Sequence, residues 1–408
     1  MRNLHEQKKK VNSPESKEKA LLGKTTKSLN PPSGEVISKN QKREIKQDLA
    51  RELIGGRLEI CGRVGLPVLV NGQMVKLDTW HRTIPINKSG EDFSFGGLMH
   101  CGNVWGCPVC ASIITEHRRK ELKEACENAR VQGLHISMLT LTVPHYAKDR
   151  CTDVLEGISS AYRKLKNRKP FKRVKKEIGL VGDIRTLEVT YGKNGWHPHF
   201  HVLLVTRLLL NDEKLESLSQ DLLSQWKAAC VSSGLPEPNQ HGLELVNGTW
   251  ADTYVTKWGI EEEMTKGHLK EGIKAGHVSP FGLLDLYGDG DKKAGQRFKE
   301  FAKAFKGKRQ LVWSRGLRDL LKVGADKSKE EIVEELEKTS VEFMKITYFD
   351  FKLIIKSGTK IHFLCEICPQ GTEAVKAYMA WLRKLERSHV KIEPDAPEWL
   401  FGKTTVNV

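Results

Sequence analysis

Gly195-Trp196-His197-Pro198-His199-Phe200-His201-Val202-Leu203-Leu204-Val205 is the stretch on which the reading of this chain turns. Successive side chains of a β-strand point to opposite faces. The alternation puts His197, His199 and His201 on one face, and Phe200, Val202 and Leu204 on the other, against a core. Pro198 has no N–H for the ladder, so the regular strand is expected to begin at His199. His199 and His201 are then the better-matched pair and His197 the weaker candidate. Leu180–Thr190 reads as the partner strand, joined through a polar turn within Gly192-Lys193-Asn194-Gly195. With Lys193 and Asn194 central, Glu188 falls opposite His199; with Asn194 and Gly195 central, it falls opposite His201. Both registers place the carboxylate on the histidine face, and only a slip of one residue turns it away. Two imidazoles and a carboxylate form a borderline donor set that suits Mn²⁺, Mg²⁺, Fe²⁺ or Zn²⁺.

The composition says what such a site works on. The 408 residues carry a formal net charge of +16, with 67 Lys and Arg against 51 Asp and Glu, so the surface attracts polyanions. Nucleic acid is the commonest large one. A membrane surface competes, but no apolar run approaches the ~18 residues that span a bilayer. The N-terminus lacks the apolar core of a secretory signal, and the protein reads as soluble and cytoplasmic. Hydrophobic residues at 39% suffice for a globular core, and the length allows two or three domains.

Residues 1–50 are Lys-, Ser-, Asn- and Glu-rich, lack aromatic residues, and read as a disordered basic tail. A zinc-binding module with a helix is expected over 51–130, opened by β-type runs at Leu58–Val64 and Leu66–Val70 and closed by the helix Ser112–Arg130. Leu134–Pro144 reads as a buried strand, Thr152–Glu177 as one basic amphipathic helix, Asp212–Ser232 as another, and Gly242–Val246 as a strand. Further helices are expected from Asp252, over Ala294–Lys306 and over Glu330–Glu337. Beyond Phe343, strands precede a last helix at Glu373–Glu386, and 321–408 reads as an accessory α/β module. Antiparallel strands with flanking helices make the fold class α+β.

The nine cysteines are odd in number, and three crowd together in Cys101-Gly-Asn-Val-Trp-Gly-Cys107-Pro-Val-Cys110. In a reducing compartment that clustering points to metal, and the Cys107-Pro108-Val109-Cys110 knuckle has zinc-finger spacing. The fourth thiolate falls to Cys61, with His100 and His117 as competitors. Cys365 and Cys368 have no second pair and read as core. A dense basic stretch holds Arg163, Lys164, Lys166, Arg168, Lys169, Lys172 and Arg173, which fits phosphate contacts as well as a solvated helix face. In Trp250-Ala251-Asp252-Thr253-Tyr254-Val255-Thr256-Lys257-Trp258, Asp252 can cap a helix on which Tyr254 and Lys257 share a face. A tyrosine hydroxyl can hold a phosphoryl group covalently, and Lys257 is spaced to steady a phosphate or assist deprotonation.

Taken together, these motifs resemble the HUH endonucleases, named for two histidines flanking an apolar residue, and more closely the plasmid rolling-circle replication initiators. Leu139-Thr140-Leu141-Thr142-Val143-Pro144 resembles that family's central-strand motif, Trp196–His201 its metal motif, and Tyr254-Val255-Thr256-Lys257 its nucleophile motif. Ser279–Leu284 and Lys308–Ser314 also resemble family segments, so the likeness covers about residues 55–320. It implies an HUH-type central antiparallel sheet carrying His199 and His201, with Tyr254 on an adjacent helix. It also implies a Mg²⁺- or Mn²⁺-dependent attack of Tyr254 on origin DNA, single-stranded or hairpin. That step leaves a 5′-phosphotyrosine and a 3′-hydroxyl primer for a host polymerase, with a host helicase as further partner. Some relatives place a Glu one turn before the nucleophile. Here Trp250 holds that position, leaving Asp252 or Glu261 as the base for termination. Relaxases and single-strand transposases share this chemistry. A zinc-containing DNA-binding regulator would dispense with Tyr254. A non-haem iron oxygenase would need an enclosed small-molecule pocket and no basic surface.

Overall fold

Two residues, Lys193 and Asn194, turn the chain between two long strands whose apolar and polar residues alternate. The computed structural model in which they stand describes residues 39–66, 68–70, 73–75, 82–247, 276–329, 331, 332, 335 and 340–387. Two compact units are present. In chain order, the larger holds α1 (Pro108–Val131), β1 (His135–Leu141), α2 (Cys151–Asn167), α3 (Lys169–Glu177), β2 (Leu180–Gly192) and β3 (Gly195–Thr206). These are followed by α4 (Asp212–Val231), β4 (Leu243–Asn247), α5 (Pro280–Gly288), α6 (Lys292–Ala304) and β5 (Leu311–Trp313). Its sheet runs β4-β1-β3-β2-β5, and every neighbouring pair is antiparallel.

The two faces of this sheet are covered differently. Ile136, Met138, Ile184, Leu203 and Val205 share the histidine face by alternation, and Leu122, Ala125, Cys126 and Ala129 of α1 pack on them. That helix covers the end of the face remote from the turn, leaving His199, His201 and Glu188 beyond it. The opposite face, with the fully buried Phe200, meets α2, where the rings of Tyr162 and Phe200 lie 5.3 Å apart. The Arg185 guanidinium sits 4.5 Å over Phe200, and Asp183 beside it takes hydrogen bonds from Lys166 and the Tyr162 hydroxyl.

The turn itself is fixed by glycine. Among described non-glycine residues positive φ is confined to Lys322, so the chain direction is corrected at Gly195, with φ 88°. A type I turn followed by a glycine of positive φ has this form. Gly192 opposite Gly195 closes the hairpin, and counting back puts Glu188 opposite His199, as the register with Lys193 and Asn194 central requires. Trp196 then falls on the Phe200 side, fully buried, its indole N–H donating to Glu300 of α6 at 3.1 Å. The same carboxylate accepts from the backbone N–H of Cys151 at the start of α2, so one side chain anchors both elements.

In the smaller unit, Val341–Thr347, Thr83–Ser89 and Asp92–Phe95 form a three-stranded antiparallel sheet in that order. Ile84, Ile86, Phe95, Phe351, Phe363 and Val375 make its core against the helices Tyr348–Lys356 and Thr372–Arg387. The Asp350 carboxylate joins these helices through Arg383, with an Nε–O distance of 2.6 Å.

Several expectations are corrected. Lys39–Ile54 is a helix with Ile45, Leu49 and Ala50 buried, so the tail read as disordered to residue 50 gives way at Lys39. Leu58 lies in the short helix Arg57–Ile60 and not in a strand; three Gly in eight residues (55, 56 and 62) hid one helical turn. The expected single helix Thr152–Glu177 breaks at Arg168, whose ψ of 143° precedes the Pro170 that opens α3. Strand β3 begins at Gly195, ahead of Pro198. Pro198 faces Val189 where no hydrogen bond is needed, and β1 has already ended at Leu141 opposite Phe200. The strands expected after Phe343 are one strand followed by helices, and that strand pairs with Thr83–Ser89, which the division at 51–130 and 321–408 had separated.

A Cβ at Gly195 would lie 2.8 Å from the Tyr146 carbonyl oxygen in a conformation that side chains rarely adopt. Gly195→Ala is expected to cost at least about 1 kcal/mol, read as a lowered urea midpoint with unchanged m.

Candidate metal centre

Strands β2 and β3 deliver Glu188, His199 and His201 to one spot. Their ligand atoms lie within 4.8 Å of one another, a spacing that could hold a metal ion. His199 Nε2 stands 3.1 Å and His201 Nε2 3.7 Å from the same oxygen of Glu188. The outer nitrogens are engaged elsewhere. His199 Nδ1 donates to the His197 carbonyl at 3.3 Å, and His201 Nδ1 meets the Thr140 hydroxyl at 3.0 Å. With a metal on Nε2, each Nδ1 carries the hydrogen; the carbonyl at His199 requires that tautomer, and the Thr140 hydroxyl, able to accept, accommodates it at His201. Side-chain exposure is 11% for Glu188, 15% for His199 and 8% for His201, which shields the trio yet leaves an approach from one side.

The electrostatics agree. Burial raises the Glu188 carboxyl pKa, but the neighbouring His201 and the hydrogen bond from His199 hold it well below the usual carboxylate range. The ligand oxygen is therefore ionised. His197 is not in the close group. Its ring stacks on His145 at 4.6 Å and 20°, with His277 at 6.4 Å. Burial, then His199, His145 and His277, depress its pKa to about 3. The imidazole stays neutral at pH 7, although geometry leaves it outside the trio.

The four cysteines picked out by spacing also come together. Cys61, Cys101, Cys107 and Cys110 are all buried, with sulfurs within 4.8 Å of one another, which could also hold a metal ion. The Cys110 N–H is directed at Cys107 Sγ, as is the Gln47 side-chain amide at 3.1 Å, and such donors favour the thiolate form. Of the competitors, His100 stands beside the cluster, Nδ1 3.9 Å from Cys110 Sγ. His117 is engaged with Glu121 instead, at 3.5 Å. Cys368 is buried in the core of the smaller unit, as expected, and Cys365 packs against it.

The basic stretch divides. Lys166 pairs with Asp183 at 2.8 Å. Lys164 donates to the Ser232 carbonyl and Arg168 to that of Ala228, so both satisfy the C-terminal end of α4. Arg163, Lys169, Lys172 and Arg173 are exposed and face solvent. Tyr254, Lys257, Asp252, Glu261, Trp250 and Trp258 lie outside the described residues. Among described residues, sequence reading missed the function of Thr140. The signal was present: once His201 is placed on β3, its cross-strand partner on β1 is Thr140.

Residues 99–226 match the family model described as a replication protein. That segment contains Cys101, Cys107, Cys110, Thr140, Glu188, His199 and His201, and it ends before Tyr254. A "Protein rep" of Streptomyces lividans is 28% identical, over 55% of this chain and 64% of that one. A "Protein rep" of Bacillus amyloliquefaciens is 35% identical, over 24% of this chain and 28% of that one. A Streptomyces cyanogenus protein named "Neomycin resistance protein" is 29% identical, over 34% and 39% respectively. The chain thus spans less than two thirds of each of these relatives. No solved structure gives a significant match. The resemblance to plasmid replication initiators is borne out over this segment. No described helix is long and apolar enough to cross a membrane.

Thr140→Val keeps the shape of the residue but removes the hydroxyl that orients His201. It is expected to weaken Mn²⁺ binding about 10- to 100-fold by calorimetry with little change in Tm. The low pKa of His197 also makes acid sensitivity specific. The unfolded imidazole takes up a proton below about 6.5 and the folded one only near 3. Its contribution is therefore complete above pH 6.5 and erodes as pH falls from 6.5 towards 3. His197→Gln should flatten the decline of Tm across that window; an unchanged slope would refute the assignment.

Proposed function

We propose that the protein initiates rolling-circle replication by nicking one strand of origin DNA, with Tyr254 as nucleophile. The observation that carries this reading is the convergence of two histidine Nε2 atoms on one ionised carboxylate within the segment that matches a replication-protein family. The donor set fits Mg²⁺ or Mn²⁺, held by Glu188, His199 and His201. When bound, such an ion supplies Lewis-acid polarisation of the scissile phosphate.

The reaction itself belongs to the chain. The Tyr254 phenolate attacks the scissile phosphorus, the bond to the 3′ oxygen breaks, and that oxygen takes a proton to become the primer hydroxyl. The phosphoryl group stays on the tyrosine as a 5′-phosphotyrosine, conserving the bond energy for rejoining. Lys257, three residues on, offsets charge on the phosphoryl oxygens and favours the phenolate. Asp252 or Glu261 serves as base for the terminating step. The freed hydroxyl is extended by a host polymerase, with a host helicase opening the duplex.

Four thiolates form a donor set that suits zinc in a structural role, and Cys61, Cys101, Cys107 and Cys110 would hold it. Arg163, Lys169, Lys172 and Arg173 are the exposed cations for the phosphates of origin DNA. Support for this chemistry over an oxygenase comes from the net charge and from the domain match.

The test mixes protein and Mn²⁺ with a supercoiled plasmid carrying the cognate origin. Wild type is expected to give open circles with protein on a 5′ end, and Tyr254→Phe to give none. Binding without nicking by either protein would favour a regulator, while covalent cutting by Tyr254→Phe would place the nucleophile elsewhere.

A further inference from the structure

Three histidines remain when the metal trio is taken out of the cluster, and they form a built feature of their own. His145, on the loop after β1, stacks on His197 at 4.6 Å and 20°. His277 stands 6.4 Å from His197, tilted by 55°. Both segments that carry them are pressed onto the hairpin turn where glycines make room. At Gly192 a Cβ would lie 2.6 Å from His277 Nδ1; at Gly195, 2.8 Å from the Tyr146 carbonyl oxygen. Reciprocal backbone hydrogen bonds between Tyr191 and Val278, at 2.8 and 2.7 Å, hold the His277 segment in place. The His145 ring is tied down through Nδ1 at 3.2 Å from the Val143 carbonyl.

A second metal does not suit this group. An ion lies in the plane of each imidazole that binds it, and rings inclined by only 20° at 4.6 Å do not present their nitrogens to a common point. Stacked rings extend a stack instead, and every nucleobase offers a face to it. His145 and His197 are half-buried and His277 is exposed, so the feature reaches the surface, where Tyr146 beside it is 53% exposed. At its inner end it meets the trio, with the His197 and His199 rings 5.2 Å apart.

We propose that His145, His197 and His277 form a stacking shelf for a nucleobase of single-stranded DNA adjoining the phosphate held at the trio. The inference rests on the nicking reading above and gives its substrate a position: one base is unstacked from its neighbours and laid on imidazole, which draws the adjoining phosphate towards Glu188, His199 and His201.

The test separates base from backbone. Two fluorescent single strands of about 12 nucleotides, one of mixed sequence and one abasic throughout, are titrated in Mn²⁺ with wild type, His145→Ala and His145→Phe. His145→Ala is expected to bind the base-bearing strand about tenfold more weakly and the abasic strand as wild type does. His145→Phe, which keeps a ring for stacking, should restore most of the loss. Equal losses on both strands, no loss on either, or a Phe variant as weak as Ala would each overturn the shelf. Plasmid nicking is assayed alongside. A wild type that nicks but meets one of those outcomes sinks the shelf alone; a wild type that neither nicks nor binds single strands sinks the parent reading and the shelf with it.

Discussion

The hairpin between β2 and β3 has a period of two, and that constraint decides everything around the site. Each residue is committed to one face by its distance from the turn, so the ligands and the core are specified together. Phe200, Val202 and Leu204 can be buried against α2 only if His199 and His201 face the other way. The core therefore enforces the ligand geometry. A register slip would expose one set and bury the other, with a cost of several apolar side chains at roughly 1.5–3 kcal/mol each.

The same economy runs through the neighbouring elements. α1 covers the histidine face only as far as Leu203, so the sheet is packed at one end and open to chemistry at the other. Glu300 ties Trp196 at the hairpin to the start of α2, linking the strand that carries the histidines to the helix behind it. Thr140 completes the arrangement from the next strand. The trio thus sits on two hydrogen-bonded strands and is braced from a third, and a site on strands is held more firmly than one on loops.

Much of this was legible in the sequence because alternation and metal spacing are local signals. The partner of Glu188 was narrowed to two registers, and the positive φ of Gly195 decides between them. The cysteine grouping was readable from the Cys-x-x-Cys knuckle plus a distant fourth residue. What escaped was non-local. Nothing near residue 85 announces that it will pair with residue 345, so the module boundaries were misjudged. The kink at Arg168 was readable in retrospect from Pro170, but the amphipathic pattern ran through it. His197 stands outside the close group for a reason that alternation does not carry: its ring stacks on His145, far away in sequence.

One feature of the basic stretch reaches beyond packing. Lys164, Lys166 and Arg168 neutralise a helix end and a buried carboxylate, so their charge is already spent within the fold. A polyanion laid along α2 and α3 therefore displaces few ions. The nine Lys and Arg between Arg163 and Lys176 suggest a log–log salt slope of roughly −6 to −8, whereas the five exposed ones, Arg163, Lys169, Lys172, Arg173 and Lys176, yield about −3.5 to −4.5. Grip on this surface is correspondingly gentle and persists in salt, which suits a protein that must release one strand and take hold of another.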